Sequence, residues 1–449
     1  MDENRLRDAL VLSAEHGVEL LIAPTGQELI QRGRQRRRKI SGVIGAVVVV
    51  IGLAGSLAAI EQQSGQSQPD RPPHAKSSSP AVSPQTLAKG SWTQLPTAPI
   101  AAREGAASTW TGTQMLIWGG ANGVDTPRKT YPSAAEGGAA YTPATNTWTL
   151  LPPSPLSPRI NALSVWTGSE WFIWGGLTEP NVSRNDYPSD GAIYDPRTRT
   201  WKTLPSAPVA NSEKAFAVWA GDRIIVLTGR GDQSSIRSAS YDPRSDTWTS
   251  IQDITLPTGH SPIDAEVIAA GSSVYLMSAW QTPQLTYPRA GGVDSYTLTP
   301  DATTWITNRL GASANLGPAF WTGHDVLLAT SQHWPGPDGF GGPFLDDVSG
   351  LLINPITGHE TPVPHNAINN AARAYVWTGN ALLGLSQQAA LWNPTTDQWT
   401  TLPRPPRYIY YTGWTSIVWT GTHLILWGRL APGTPDSPPV APSGVAFGN

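Results

Sequence analysis

From residue 91 onward the apolar positions fall in short β-favouring runs separated by Gly-centred turns. Asn161-Ala162-Leu163-Ser164-Val165 leads into Trp166-Thr167-Gly168, and Trp171-Phe172-Ile173-Trp174 follows. Two such runs around a tight turn predict a hairpin. The unit returns as Trp110-Thr111-Gly112, Trp219-Ala220-Gly221, Trp321-Thr322-Gly323, Trp377-Thr378-Gly379 and Trp419-Thr420-Gly421, with a worn copy at Ala269-Ala270-Gly271. A period of roughly 50 residues built on hairpins predicts an all-β, seven-bladed β-propeller.

A second phrase completes each period. Tyr141-Thr142-Pro143 through Trp148 recurs as Tyr194-Asp195-Pro196 through Trp201, Tyr241-Asp242-Pro243 through Trp248 and Trp392-Asn393-Pro394 through Trp399, with weaker copies ending at Trp305 and His359. Pro after Asp, Asn or Thr sets a turn between a strand ending in an aromatic residue and one carrying Trp. Leu95-Pro96, Leu151-Pro152, Leu204-Pro205 and Leu402-Pro403 follow the Trp strands, where Pro closes an outer strand whose missing donor costs least. The chain ends on Gly444-Val445-Ala446-Phe447, which imitates Gly138-Ala139-Ala140-Tyr141, and has an unattached outer strand at Ser91-Trp92-Thr93-Gln94-Leu95. Joining them closes blade seven with strands from both termini and removes exposed edges.

These residues resemble the kelch repeat, the family of the galactose-oxidase-type propellers. Its marks are Gly119-Gly120, Gly175-Gly176, the Tyr-Asp-Pro turns and the blade Trp; the double Gly fades later into Gly229-Arg230, Ser278-Ala279 or Leu385-Ser386. The resemblance to galactose oxidase implies a copper-radical site with a Cys cross-linked to a Tyr, but the chain has no Cys and its His residues show no paired metal spacing. No cofactor is expected. No nucleophile elbow, phosphate loop or convincing carboxylate pair is present, so the enzyme reading narrows to a hydrolase or lyase with an unrecognised site at the channel mouth.

The first 90 residues differ in kind. Residues 1–39 form a short cytoplasmic segment with helical spacing at Leu6, Ala9 and Leu10 and a capping box at Thr25-Gly26-Gln27-Glu28. Six basic residues between Arg32 and Lys39 precede an uncharged apolar stretch, residues 40–60, long enough for a single transmembrane helix. The charge bias predicts a single-pass cell-membrane protein with its N-terminus cytoplasmic and its C-terminal domain extracellular. A cleaved signal peptide processed near Ser56-Leu57-Ala58 is the alternative. Residues 61–90 are a Ser/Pro/Gln-rich linker and residues 91–449 the propeller.

Composition adds little more. Net charge is −3, which gives no support for a nucleic-acid partner. Arg outnumbers Lys 24 to 6 and Ala, Gly and Pro are abundant, as in a GC-rich bacterial genome.

Strand alternation puts the Trp-Thr-Gly and Tyr-Asp-Pro turns on one face. The long variable loops, spanning residues 121–137, 177–190, 281–292 and 332–347, fall on the other, where ligands are expected. Three of them carry Tyr131, Tyr187 and Tyr287 before Pro, and a fourth holds Trp334. Exposed aromatics around a ring suit stacking on a sugar or gripping a peptide; the alternative is that each ring packs over its own blade. Polar residues gather where inner strands begin, namely Arg103, Arg159, Asn161, Lys214, Asp264, Asn369, Arg373 and Arg407. They form either a site for an anionic or hydroxylated ligand or a hydrated channel lining. The expectation is a membrane-anchored binding module for a carbohydrate or protein ligand outside the membrane. A second reading is a transmembrane regulator, laid out like bacterial sensors and anti-sigma regulators, with a cytosolic protein partner for residues 1–31.

Overall fold

The structure, a computed structural model, describes residues 82–122, 133–178, 187–212, 214–230, 234–257, 260–281, 291–299, 301–312, 318–329, 348–364, 374–385, 389–404, 416–428 and 444–448. Among them lie seven four-stranded antiparallel sheets, six with their strands in sequence order from the inside out and the seventh with its outer strand taken from the N-terminal side. Blade one is Ala107–Trp110, Met115–Trp118, Gly138–Thr142 and Thr147–Leu150, and blade two is Leu163–Trp166, Trp171–Trp174, Gly191–Asp195 and Thr200–Thr203. Blade three is Lys214–Trp219, Ile224–Gly229, Ser235–Asp242 and Thr247–Thr255, and blade four is His260–Ala270, Ser273–Gln281, Gly291–Leu298 and Trp305–Ala312. Blade five is Ala319–Trp321, Val326–Ala329, Val348–Ile353 and Glu360–Pro364, and blade six is Ala374–Trp377, Leu382–Leu385, Ala389–Asn393 and Gln398–Leu402. Blade seven takes Ser416–Trp419, Leu424–Trp427 and Val445–Gly448 from the C-terminal end and Ser91–Gln94 as its outer strand. Trp92 stands opposite Phe447 and Thr93 opposite Ala446, the closure expected from the two ends of the repeat.

The second strands read as unbroken apolar runs because both of their faces are buried. Met115 and Ile117 pack toward blade seven, while Leu116 and Trp118, on the opposite face of the same strand, pack toward blade two. Seven apolar clusters, one at each seam between neighbouring blades, result among the described residues.

Each outer-strand Trp also donates a hydrogen bond across its seam. The Trp148 indole reaches the Pro96 carbonyl at 3.0 Å, Trp201 reaches Pro152 at 3.0 Å and Trp248 reaches Pro205 at 2.9 Å. Trp399 reaches Pro364 at 2.9 Å and Trp92 reaches Pro403 at 3.0 Å. Blade four departs from this, for Trp305 turns to the Ser238 hydroxyl at 3.2 Å. There the outer strand of blade three runs on to Thr255, so its Leu256-Pro257 comes too late in the chain to meet Trp305. In blade five the expected repeat end at His359 is shifted by one, because the register sets Glu360 opposite Ile353.

Leu-Pro has a second use. The Leu204 amide makes a ladder bond to the Gly191 carbonyl at 3.0 Å, and its side chain fills the space beside that glycine. A Cβ on Gly191 would stand 2.5 Å from the Ile173 carbonyl oxygen and 2.8 Å from Leu204 Cδ1. Gly138 and Gly444 hold the same place against Leu151 and Leu95.

Residues 82–90, expected to end the linker, are instead part of the described domain. Ser83 caps a one-turn helix, Pro84–Leu87, by accepting from the Thr86 amide. Leu87 is 1% exposed and joins the cluster between blades six and seven, and Asn380 donates to the Val82 carbonyl. Since Asn380 follows Trp377-Thr378-Gly379, the chain enters on the face opposite the variable loops. Among the described residues no helix is long and apolar enough to cross a membrane; residues 1–81, with the expected span at 40–60, lie outside them.

Leu87→Ala is expected to lower the unfolding free energy by about 2–4 kcal/mol, the range for truncating a buried Leu in a packed core. Chemical denaturation of the full-length chain measures it, and no loss would mean that the 82–90 segment is a detachable linker.

Candidate functional site

The variable-loop face is organised by the segment that leads into each inner strand. In blade one Arg103 is buried, and its guanidinium donates to the Gly119, Gly137 and Glu136 carbonyls at 3.0, 2.9 and 2.7 Å. Burial pulls its pKa below the usual guanidinium range. Arg159 repeats the arrangement in blade two, donating to the Gly175 and Asp190 carbonyls and to the Asp190 carboxylate at 2.7 Å. In blade three the shorter Ser212 takes over and donates to the Gly229 carbonyl at 2.9 Å. The two arginines staple the double-Gly turn to the residues that lead into the third strand, while Ser212 ties the end of the second strand to the first. The two arginines expected at a ligand-facing ring thus turn their terminal guanidinium nitrogens to backbone carbonyls and, for Arg159, to the Asp190 carboxylate.

Stapling leaves a cleft of about 300 Å³ that draws on blades two, three and four. Its lining includes Asn161, Tyr187, Lys214, Phe216 and Glu266. Asn161 sits at φ 55°, a left-handed conformation that Asn tolerates, and its amide donates to the Gly105 carbonyl at 2.8 Å. Tyr187 comes from the expected loop of blade two and is half-buried. Lys214, on the inner strand of blade three, holds its ammonium 4.9 Å from the centre of the Phe216 ring and 3.8 Å from the Glu266 carboxylate of blade four. Burial pushes the Glu266 carboxyl above the usual range, against the opposing pull of Lys214. Asn211 and Ser212 also line the cleft, but their side chains are committed to backbone: Asn211 to Gly176 and Pro188, Ser212 to Gly229 and Lys214.

Of the expected site residues, the cleft brings together Asn161, Tyr187 and Lys214. Tyr131, Tyr287, Trp334, Asn369, Arg373 and Arg407 lie outside the described residues, and Asp264 is placed only by its backbone in the inner strand of blade four. Glu266 and Phe216 were not anticipated. Alternation pointed to Phe216, which shares a strand face with Lys214.

Seven sheets and closure by strands from both ends define a seven-bladed β-propeller, with double-Gly turns in its first two blades that resemble those of kelch repeats. No protein-family profile matches the chain. Among curated proteins it is 26% identical to Kelch-like protein terF of Aspergillus terreus over 231 residues, 49% of this chain and 48% of that protein. It is 27% identical to Kelch-like protein 25 of Xenopus tropicalis over 169 residues, covering 37% and 26% of the two chains. With an F-box/kelch-repeat protein of Arabidopsis thaliana it shares 32% identity over 105 residues, 23% of this chain and 24% of that one. The chain therefore spans about half the length of the first relative and about a quarter of the other two.

These relatives, from a fungus, a frog and a plant, give no support to the bacterial origin expected from composition. The expected single-pass cell-membrane location with an extracellular domain is likewise corrected. No helix among the described residues is long and apolar enough to span a bilayer, and the relatives carry kelch-protein names. The apolar run at 40–60 and the basic residues before it had suggested it.

Glu266→Gln should raise Tm at pH 7.5. A carboxyl whose folded-state pKa is raised stabilises the fold only while protonated, so the ionised wild-type group weakens it at neutral pH. The gain should vanish as pH falls to about 3, below the unfolded-state value, where the wild-type carboxyl is protonated in both states. Thermal unfolding at the two pH values checks both outcomes.

Proposed function

We propose that this propeller is a protein-binding module that takes its ligand on the variable-loop face, centred on the cleft of Asn161, Tyr187, Lys214, Phe216 and Glu266. One observation carries the reading: a variable loop and the inner strands of two successive blades place an aromatic ring, an ammonium and a carboxylate around one recess. Seven packed seams hold the blades that carry these groups, and loops on such a scaffold are where recognition residues collect. The kelch names of the relatives agree with a binding role rather than a catalytic one. Tyr187 is the member of the expected aromatic set that lies among the described residues.

A photoreactive benzoylphenylalanine at position 187, compared with one at exposed Thr198 on the opposite face, tests the proposal. Irradiation in extracts of the source organism is expected to give a discrete crosslinked protein from position 187 and none from 198. Equal crosslinking at both, or crosslinking at 198 alone, would overturn it.

A further inference from the structure

We propose that the cleft recognises a cationic side chain of its protein ligand, an arginine guanidinium or a lysine ammonium, with Glu266 as counter-ion and Phe216 and Tyr187 as aromatic walls. This rests on the reading of the cleft as a protein-binding site.

The chain's own Lys214 shows that the recess accommodates a cation. Its ammonium stands 4.9 Å from the centre of the Phe216 ring, within cation–π range. Yet it holds Glu266 only at 3.8 Å, beyond hydrogen-bonding distance. Glu266 is accordingly a partly buried carboxylate, its side chain 32% exposed toward the cleft and without a close donor from Lys214, and burial outweighs Lys214 in setting its proton affinity. A guanidinium entering from the loop face supplies two parallel N–H donors to that carboxylate and a flat surface for the rings. Lys214 is 31% exposed on a flexible stem and can turn out to water as the ligand cation takes its place.

The neighbouring groups do not compete for the same ligand. Arg159 is occupied by the Asp190 carboxylate and two carbonyls, and Asn211 and Ser212 are bonded to backbone. The surrounding charge is favourable as well. Eleven of the 30 basic and eight of the 33 acidic residues precede residue 91, so residues 91–449 carry 19 basic against 25 acidic side chains, a net −6. That field draws in cations.

The test titrates the full-length chain with Nα-acetyl-arginine N-methylamide and, separately, with Nα-acetyl-glutamate N-methylamide, following binding by calorimetry. The arginine probe is expected to bind and the glutamate probe not to. Lys214→Met, which removes the internal competitor, should tighten arginine binding roughly fivefold, the scale of one partly exposed ion pair. Glu266→Gln, whose fold is checked by its Tm, should abolish it. Binding of the glutamate probe with loss in Lys214→Met would overturn the proposal in favour of an anion site. If no probe binds any variant while position 187 still crosslinks a protein, the cation proposal fails and the protein-binding reading stands. Failure of both experiments removes both.

Discussion

The fold depends on what holds one blade to the next. Each sheet is complete within itself, so strand ladders do not continue between blades, and the ring is held by side chains at its seams with single backbone bonds such as Gly120 to Arg159 and Gln252 to Thr303. Apolar clusters give most of the adhesion but are non-directional. Direction comes from the outer-strand Trp, whose indole N–H finds the carbonyl of the Pro that ended the preceding blade's outer strand. Pro brings no amide to continue the ladder, so its carbonyl is left to the neighbour. One residue thus stops a strand and receives the next blade.

The candidate site grows out of the same seams. Gly120 donates to the Arg159 carbonyl at 2.7 Å, so the double-Gly turn of blade one abuts the staple of blade two. The turn of blade two lies against Asn211 of the segment entering blade three. Because each entering segment is tied to the blade before it, residues far apart in the chain converge on one face. Lys214 and Glu266 belong to adjacent blades and meet across the third seam, with Tyr187 arriving from the second blade. Entry of the chain at the opposite face, where Leu87 seals the seam between blades six and seven, keeps residues 82–90 away from this cleft.

Most of the fold was legible in sequence because its signals are local and repeated. Trp-Thr-Gly marks a turn, Tyr-Asp-Pro marks another, and the incomplete repeats at the two ends announce the closure. Two features escaped because they depend on partners distant in the chain: the Leu-Pro carbonyl as acceptor for a neighbouring indole, and the seating of 82–90 on the last seam. The site was less legible for a related reason. Arg103 and Arg159 look like ligand-binding groups until their backbone acceptors are in view, since a guanidinium serves a carbonyl as readily as a ligand. Glu266 became visible only once blades three and four were set side by side. The expected membrane location rested on the apolar run at residues 40–60 and the basic cluster before it, both outside the described residues.

Trp201→Phe tests the seam hydrogen bond by removing the indole donor while keeping an aromatic ring against Tyr194. Equilibrium denaturation of this variant beside the wild type should show a loss of about 1–3 kcal/mol, the cost of leaving the Pro152 carbonyl without its partner at a part-buried seam. Stability unchanged within a few tenths of a kcal/mol would mean that the indole bond does not help join the blades, and would contradict the account.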